Sequence, residues 1–307
     1  MKKVVCIVGP TACGKTTLSI ELAKKYNGEI ISADSMQIYK GHPIASAVPT
    51  KKEMQGIPHY LLEQLSNNQS FSVADFCSKA NQIIDDIINR GKLPFIVGGT
   101  GLYIDALVNN FNFLPCEDAS AIREKYCRLY DELGGEQLLK MLSLIDKDTA
   151  TALHPNDKKR IVRAMEFYEI SGEKRHGEAQ NGKKTLDALY IGINFANRAI
   201  LYDRINTRVD AMLNSGLLHE ARLSYINGNV GGAKQAIGHK ELYPYFSGEK
   251  TLEEATESLK TKTRNYAKRQ MTWFRRNINI NWVYPDTENN YIDKACEFIN
   301  EWKKQQI

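Results

Sequence analysis

The stretch that most constrains how this chain can fold is GPTACGKTT, at residues 9–17. It follows an apolar run at residues 4–8 and has the spacing G-x-x-x-x-G-K-T. Such a loop turns backbone N–H groups toward a phosphate at the N-terminus of the next helix. Its lysine neutralises phosphate oxygens, and its threonine ligates Mg²⁺. The phosphate could belong to a hydrolysed nucleotide, a phosphoryl donor or another diphosphate. The predicted phosphate-binding residues are Gly9, Pro10, Thr11, Ala12, Cys13, Gly14, Lys15 and Thr16, with Thr16 as the metal ligand.

The composition is typical of an ordered cytoplasmic protein. Of 307 residues, 42% are hydrophobic and 25% are charged, which makes extensive disorder unlikely on compositional grounds. No stretch approaches the roughly 18 consecutive apolar residues that a membrane-spanning helix needs. The six cysteines show neither a C-x-x-C pair nor a metal-ligand spacing. A net charge of +5 is mildly basic and suggests a polyanionic partner without establishing one.

The hydrophobic pattern predicts an α/β fold built on a parallel sheet with helices on both faces. The apolar runs GEIISADS and KLPFIVGGTG follow the first strand, and a helix over about residues 73–90 separates them. After about residue 114 the pattern becomes helical. We therefore expect an all-helical insertion domain over 115–186. Residues 1–114 and 187–307 then form the core, with LDALYIGINF and NINWVYP as its later strands.

Asp34 ends the second apolar run, at the carboxyl edge where open α/β sheets bind ligands. It is either a cap for the following turn or a general base that takes a proton from an attacking nucleophile. Ser35 and Gln37 add polar groups that could contact a base or ribose. The third run ends in GGTG without an acid, which argues against hydrolysis and for transfer to a bound acceptor.

Two groups of cations have competing interpretations. Arg204 and Arg208 are four residues apart, so they share a helix face, where they are either solvated or clamp a leaving diphosphate. The stretch TLEEATESLKTKTRNYAKRQMTWFRR begins with a capping box and is rich in cations. It is either a basic surface helix with an aromatic core stripe or, together with NDKKRIVRAME, a surface for a nucleic-acid backbone.

The motifs taken together resemble the tRNA isopentenyltransferase (IPP transferase) family, whose bacterial members are tRNA dimethylallyltransferases. The similarity runs in the family's order over nearly the whole chain. DSMQIY, VGGTGLY and AKRQMTWFR are more specific to it than the phosphate loop. The other matching stretches are GPTACGKTTLSIELA, GIPHYLLEQL, SVADF, HPNDKKRIVRAMEFYEISGE, YDRINTRVDAML, GLLHEAR and AIGHKEL.

The resemblance implies a P-loop NTPase-like core and a helical insertion that grips the tRNA anticodon stem-loop. Separately, we expect a monomer that does not contact membranes. It also implies that the loop holds the diphosphate of dimethylallyl diphosphate together with Mg²⁺. The dimethylallyl group would move to N6 of adenosine 37, releasing pyrophosphate. The implied catalytic residues are Asp34, Thr100, Lys15 and Arg208. The implied tRNA contacts are Asp34, Ser35, Met36, Gln37, Thr100, Arg123, Lys159, Arg160, Ile161, Val162 and Arg163.

The chain departs from the family pattern at two places. Residues 43–50 are PIASAVPT where the family usually has a stretch like DIGTAKPT, so Ala45 and Val48 replace a glycine and a lysine. His239 stands where a tyrosine is common. We interpret this histidine as a packing or hydrogen-bonding variant.

Two other functions fit parts of the sequence. A small-molecule kinase would use the phosphate loop and Asp34 for phosphoryl transfer, but it leaves the basic C-terminal helix unexplained. A nucleotide-switched RNA-binding module would need an acidic strand end or a base-recognition motif, and the sequence has neither.

Overall fold

Six strands among the described residues form one sheet in which every neighbouring pair is parallel, in the order β3-β2-β4-β1-β5-β6. The computed structural model describes residues 1–111, 119–172, 182–228 and 236–305. The strands are β1 (Lys2–Val8), β2 (Gly28–Ser32), β3 (His59–Tyr60), β4 (Leu93–Gly98), β5 (Leu186–Ile193) and β6 (Ile280–Val283).

Helices cover both faces of this sheet. Every residue of β2 is buried, and consecutive side chains of a strand point to opposite faces, so neither face is open to solvent there. The predicted α/β class with a parallel sheet is confirmed. Among the described residues, no helix is long and apolar enough to cross a membrane.

The chain divides into two compact units. The first, Met1–Val108 with Thr185–Ile307, contains the whole sheet. Its helices are α1 (Lys15–Lys25), α2 (Lys51–Met54), α3 (Val73–Asn89), α4 (Gly101–Val108), α9 (Arg198–Asn214), α10 (Leu217–Asn227), α11 (Tyr243–Phe246), α12 (Leu252–Phe274) and α13 (Tyr291–Lys304).

The second unit, Asn109–Lys184, contains helices only among its described residues. They are α5 (Ala119–Leu133), α6 (Gly135–Ile145), α7 (Lys147–Ala152) and α8 (Lys158–Ser171). Tyr126, Leu142 and Met165 belong to its own hydrophobic core. The boundary expected between residues 114 and 115 lies outside the described residues. The insertion's role as a tRNA-contacting domain remains a prediction.

The ends of the strands approach so closely that particular positions require glycine. A Cβ on Gly98, the last residue of β4, would lie 2.1 Å from the carbonyl oxygen of Ala33, just after β2. A Cβ on Gly9, just after β1, would lie 2.6 Å from the carbonyl oxygen of Ile193, which ends β5. The turns that follow these four strands are therefore brought together at the carboxyl edge of the sheet.

A buried carboxylate ties the amino-terminal end of β2 to its neighbours. Glu29 is 1% exposed and accepts hydrogen bonds from the Arg90 guanidinium at 2.5 and 2.6 Å. Lys92 and the Tyr60 hydroxyl donate to it at 2.6 and 2.7 Å. These donors, led by Arg90, lower the pKa of Glu29 from 4.5 to about 2.

This network predicts that the free energy of unfolding decreases as the pH falls into the acid range. Because the folded-state pKa of Glu29 is depressed, its stabilising contribution is present above pH 4.5 and is lost as the pH falls toward about 2. Glu29→Gln should lower the free energy of unfolding at pH 7 by about 2–3 kcal/mol and flatten its loss between pH 5 and 3. Urea unfolding across this pH range measures both effects.

Asp86→Asn is the matched control, since Asp86 also contacts Arg90 but its side chain is 62% exposed. It should change stability by less than about 1 kcal/mol at any pH. An Asp86 variant as acid-resistant as the Glu29 variant would contradict the assignment.

Candidate functional site

The phosphate loop joins β1 to α1 and concentrates positive charge around its backbone. Gly14 caps α1 with a left-handed φ of 100°, and Lys15 is the helix's first residue. The Lys15 ammonium donates to the carbonyl oxygens of Gly9 at 3.0 Å and Pro10 at 2.7 Å. The N-terminal N–H groups of α1 and this ammonium together favour an anion at the loop.

Cys13 fills space beneath the loop. Its side chain is buried, and a Cβ on Gly9 would lie 2.9 Å from its sulfur. Burial raises the pKa of the Cys13 thiol, although Lys15 and the arginines of α9 act in the opposite direction. The residue is therefore a neutral thiol at neutral pH and not a nucleophile or a metal ligand.

Arg204 and Arg208 of α9 are directed toward this loop. Arg204 Nε donates to the carbonyl oxygen of Ala12 at 3.0 Å, and its guanidinium lies over the Phe195 ring. Burial lowers the pKa of Arg208, and the charge of Asp34 partly offsets this effect. Arginine stays protonated in proteins, so Arg208 supplies a partly desolvated cation close to Asp34. The geometry favours the clamp interpretation of these arginines over the solvated one.

The geometry of Asp34 is compatible with both roles considered for it. Its Oδ1 accepts a hydrogen bond from the Met36 amide at 2.9 Å, which fixes the turn after β2. Its Oδ2 makes no hydrogen bond with any residue that the structure describes. One oxygen of the carboxylate therefore sets its orientation, and the other is available to accept a proton.

Thr100 holds the turn after β2 to the turn after β4. Its hydroxyl accepts from the Ser35 amide at 3.1 Å, and its own amide donates to Ala33 at 3.2 Å. The hydroxyl proton of Thr100 is left free to donate, since these bonds use only an acceptor position. Asp34, Ser35 and Thr100, which the sequence predicts as site residues, thus lie together.

Gln37 is engaged inside the protein. Its Oε1 accepts from the Ser32 hydroxyl at 2.7 Å, and its Nε2 donates to the carbonyl oxygens of Ser46 and Ala47 at 3.2 and 3.0 Å. Its amide therefore positions the atypical segment 43–50 relative to β2. A direct tRNA contact through this amide would require breaking those bonds.

Gln270 is a residue that the sequence interpretation missed. It is 5% exposed, and its Oε1 accepts from the Thr11 amide at 2.8 Å. Its Nε2 donates to the carbonyl oxygen of Gly99 at 3.1 Å. One side chain of α12 thus bridges the phosphate loop and the turn after β4. The sequence did contain one indication of this role: Gln270 has the helical spacing of the buried residues Ala267, Met271 and Phe274.

The remaining polar residues of α12 divide into internal contacts and exposed charges. Trp273 Nε1 donates to Asp105 of α4 at 2.7 Å, and Lys260 pairs with Asp210 of α9 at 2.7 Å. Arg264 donates to Asn206 and Glu257. The exposed cations are Lys262, Lys268 and Arg269 on α12, and Arg275 and Arg276 directly after it. Part of the basic helix is thus a packing surface, and the exposed part keeps the charge that a polyanion requires.

The other predicted tRNA contacts all belong to the second unit. Arg123 and Arg163 both pair with the buried carboxylate of Glu166, at 2.9 and 2.7 Å. Lys159 and Arg160 are exposed on the first turn of α8. The side chains of Ile161 and Val162 are 0% and 2% exposed, so they position α8 and cannot themselves contact a ligand. The tRNA contact predicted for these two residues remains a prediction.

The bridge made by Gln270 predicts a measurable cost of removing it. Gln270→Met keeps the length of the side chain but leaves the Thr11 amide and the Gly99 carbonyl without their partner. We expect a loss of about 1–3 kcal/mol in the free energy of unfolding and faster hydrogen exchange at the Thr11 amide. Thr272→Ala on the exposed face should stay within about 0.5 kcal/mol. Unchanged Thr11 exchange in Gln270→Met would contradict the bridge.

Known proteins are similar to this chain in both sequence and architecture. The family model described as IPP transferase matches residues 37–277. The tRNA dimethylallyltransferase of Thermoanaerobacter sp. is 46% identical, over 97% of this chain and 96% of its own length. The full-length tRNA isopentenylpyrophosphate transferase of Bacillus halodurans is 42% identical, with a TM-score of 0.75 over 98% of this chain and 97% of its own.

A more distant solved structure has the same fold. A eukaryotic dimethylallyltransferase acting on tRNA superposes with a TM-score of 0.80 at 31% identity, over 98% of this chain and 80% of its own. The names of these relatives describe transfer of a prenyl group to tRNA, so a small-molecule kinase is not favoured. The chain belongs to the IPP transferase family.

Proposed function

We propose that this protein transfers the dimethylallyl group from dimethylallyl diphosphate to N6 of adenosine 37 in the anticodon loop of tRNA. One observation supports this most strongly. Within a member of this family, the phosphate loop, Asp34 and Thr100 meet at one edge of one sheet. The phosphate loop can thus bind the diphosphate leaving group of the donor, and Asp34, which lies nearby, can accept the proton of the acceptor amine.

The reaction forms a bond between N6 and the allylic carbon and breaks the bond between that carbon and the diphosphate oxygen. Negative charge therefore grows on the departing pyrophosphate, while positive charge grows on the allyl group and the amine. Lys15, the α1 amides, Arg204 and Arg208 stabilise the first charge. The proton lost by N6 passes to Asp34, which balances the reaction.

Mg²⁺ fits the diphosphate site by the chemistry of the donors present. Thr16 is exposed on the first turn of α1, and its hydroxyl is a hard oxygen ligand of the kind that Mg²⁺ prefers. The soft donor nearby, Cys13, is a buried neutral thiol. Thr16 and the diphosphate oxygens would hold the ion, which when bound offsets the charge of the leaving group.

The acceptor is expected to enter as an unstacked base. An anticodon loop is single-stranded, so its bases can leave the stack at the cost of a few kcal/mol and enter a protein site. Thr100 has a free hydroxyl proton and Ser35 lies beside Asp34, so both can contact the base. The exposed cations of the second unit are suited to the phosphates of the anticodon stem.

Transfer of label from radiolabelled dimethylallyl diphosphate to an anticodon stem-loop, with Mg²⁺ present, tests this function. Wild-type protein should label a loop with adenosine at position 37 and not one with guanosine there. Asp34→Asn should lower the turnover rate about 10²–10⁴-fold and leave RNA affinity unchanged, because it removes the base but keeps an oxygen for the Met36 amide.

Asp34→Ala separates the two roles of this carboxylate, since it loses the turn contact as well. If the asparagine variant turns over at the wild-type rate, Asp34 is not the base. If well-folded wild-type protein labels neither this RNA nor total tRNA, the proposed reaction is wrong.

RNA binding should depend on the exposed cations of α8. Lys159→Ala and Arg160→Ala should each weaken binding of the stem-loop several-fold at 50 mM salt. Each should also reduce the slope of log K against log[salt] by about 0.7–0.9, because one phosphate contact is lost. Titrations at several salt concentrations measure both quantities.

Lys140→Ala is the control for net charge, since Lys140 is equally exposed on α6 of the same unit. Its slope should match the wild-type slope. Equal effects from Lys140 and Arg160 would indicate a general charge effect and would contradict a phosphate contact at α8.

A further inference from the structure

The Glu220 carboxylate of α10 holds the start of segment 43–50. Its Oε2 accepts a hydrogen bond from the Ile44 amide at 2.9 Å, and its Oε1 accepts one from the Ala45 amide at 3.0 Å. The side chains of Ile44 and Ala45 pack against a hydrophobic cluster to which α10 contributes. Because both carboxylate oxygens are used, Glu220 fixes the orientation of this segment as well as its position.

The segment continues from these two residues into a compact turn. The Ser46 amide and hydroxyl both donate to the His42 carbonyl oxygen, at 3.0 and 2.6 Å, and the Ala47 amide donates to the Ile44 carbonyl oxygen at 3.1 Å. The turn presents the carbonyl oxygens of Ser46 and Ala47 to the Gln37 side chain, whose Nε2 donates to them at 3.2 and 3.0 Å. The place where Glu220 holds the segment therefore determines where these two acceptors lie.

Gln37 connects the segment to the turn after β2. Its Oε1 accepts from the Ser32 hydroxyl of β2 at 2.7 Å. It is also the last residue of the stretch 34–37, which begins with Asp34 and for which we predict contacts with the acceptor RNA. A displaced segment 43–50 would leave the Gln37 Nε2 without its acceptors and would loosen this stretch.

The phosphate loop is held by a different set of contacts. The Thr11 amide donates to Gln270, the Lys15 ammonium donates to carbonyl oxygens of the loop itself, and Arg204 donates to the loop backbone. These contacts involve neither α10 nor segment 43–50. The donor side and the acceptor side of the candidate site thus have separate supports.

We propose that Glu220 is a positioning residue for the RNA acceptor. It acts through segment 43–50 on Gln37, and so on the turn that presents Asp34. The inference rests on the proposed function and extends it to a residue outside the site. Glu220 and Gln37 both bond to the backbone of the segment, so the side-chain departures at Ala45 and Val48 leave these contacts intact.

Steady-state transfer of labelled dimethylallyl groups to the anticodon stem-loop, with each substrate varied in turn, tests this role. Glu220→Gln replaces one acceptor oxygen by an N–H donor, so one of the two backbone amides loses its partner. We expect the KM for the stem-loop to rise about five- to tenfold. The KM for dimethylallyl diphosphate should stay within about twofold, and kcat at saturating RNA within about threefold. A general weakening of the fold would affect both substrates.

Glu241→Gln is the matched control, since Glu241 is a buried carboxylate of the same region whose Oε2 accepts from the Gly238 amide at 2.9 Å. It should leave both KM values within about twofold of wild type. The route through Gln37 is tested by a double-mutant cycle. In a Gln37→Met background, Glu220→Gln should raise the KM for the stem-loop by less than about twofold, because the contact through which it acts is already lost.

Circular dichroism checks the fold of each variant. Glu220→Asp, which keeps the charge and shortens the side chain, is the smaller change should Glu220→Gln unfold, and it should show the same difference between the two KM values. An unchanged KM for the stem-loop, equal rises in both KM values, or full additivity with Gln37→Met overturns the inference while leaving the proposed function standing. A well-folded wild-type protein that labels no RNA refutes the proposed function and this inference with it.

Discussion

The side-chain amide of Gln270 is the interaction on which the candidate site depends. It accepts from the Thr11 amide and donates to the Gly99 carbonyl, so α12 fixes the distance between the phosphate loop and the turn after β4. Thr100, the next residue of that turn, accepts from the Ser35 amide and thereby holds the turn that presents Asp34. An amide suits this position because it is both donor and acceptor and carries no charge to desolvate. The geometry that brings the predicted base near the predicted leaving group is thus maintained by neutral hydrogen bonds around one buried side chain.

Sequence reasoning predicted the parts of the fold that follow from local chemistry. The glycine spacing of the phosphate loop, the apolar strands and the 3.6-residue periodicity of α3 each reflect residues close together in the chain. It missed β3, since two residues carry no periodicity. It also missed Gln270, because a polar residue in an apolar stripe shows its partners only after folding. For Asp34, the two alternatives are compatible: one oxygen caps the turn, and the other accepts no hydrogen bond from the described part of the chain. In the second unit, the shared pairing of Arg123 and Arg163 with Glu166 could not be inferred without knowing how α5 and α8 pack.

The two departures from the family pattern lie next to each other in the folded protein. Segment 43–50 and His239 are nearly 190 residues apart in the sequence. They nevertheless share the Glu220 carboxylate, and Ala45 packs against Gly238, where an added Cβ would lie 3.0 Å from the alanine methyl. A change on one side of this contact therefore alters what the other side can accommodate.

We propose that the phosphate loop serves an allylic diphosphate and not a nucleotide. Calorimetric titration with the unreactive analogue dimethylallyl S-thiolodiphosphate in Mg²⁺, with ATP as competitor, tests this assignment of the loop most directly. The analogue should bind one site, Lys15→Ala should weaken its binding at least about tenfold through loss of the loop's ammonium, and ATP should displace it poorly. Tight ATP binding that excludes the analogue, or analogue binding that is unaffected by Lys15→Ala, would show that the assignment is wrong.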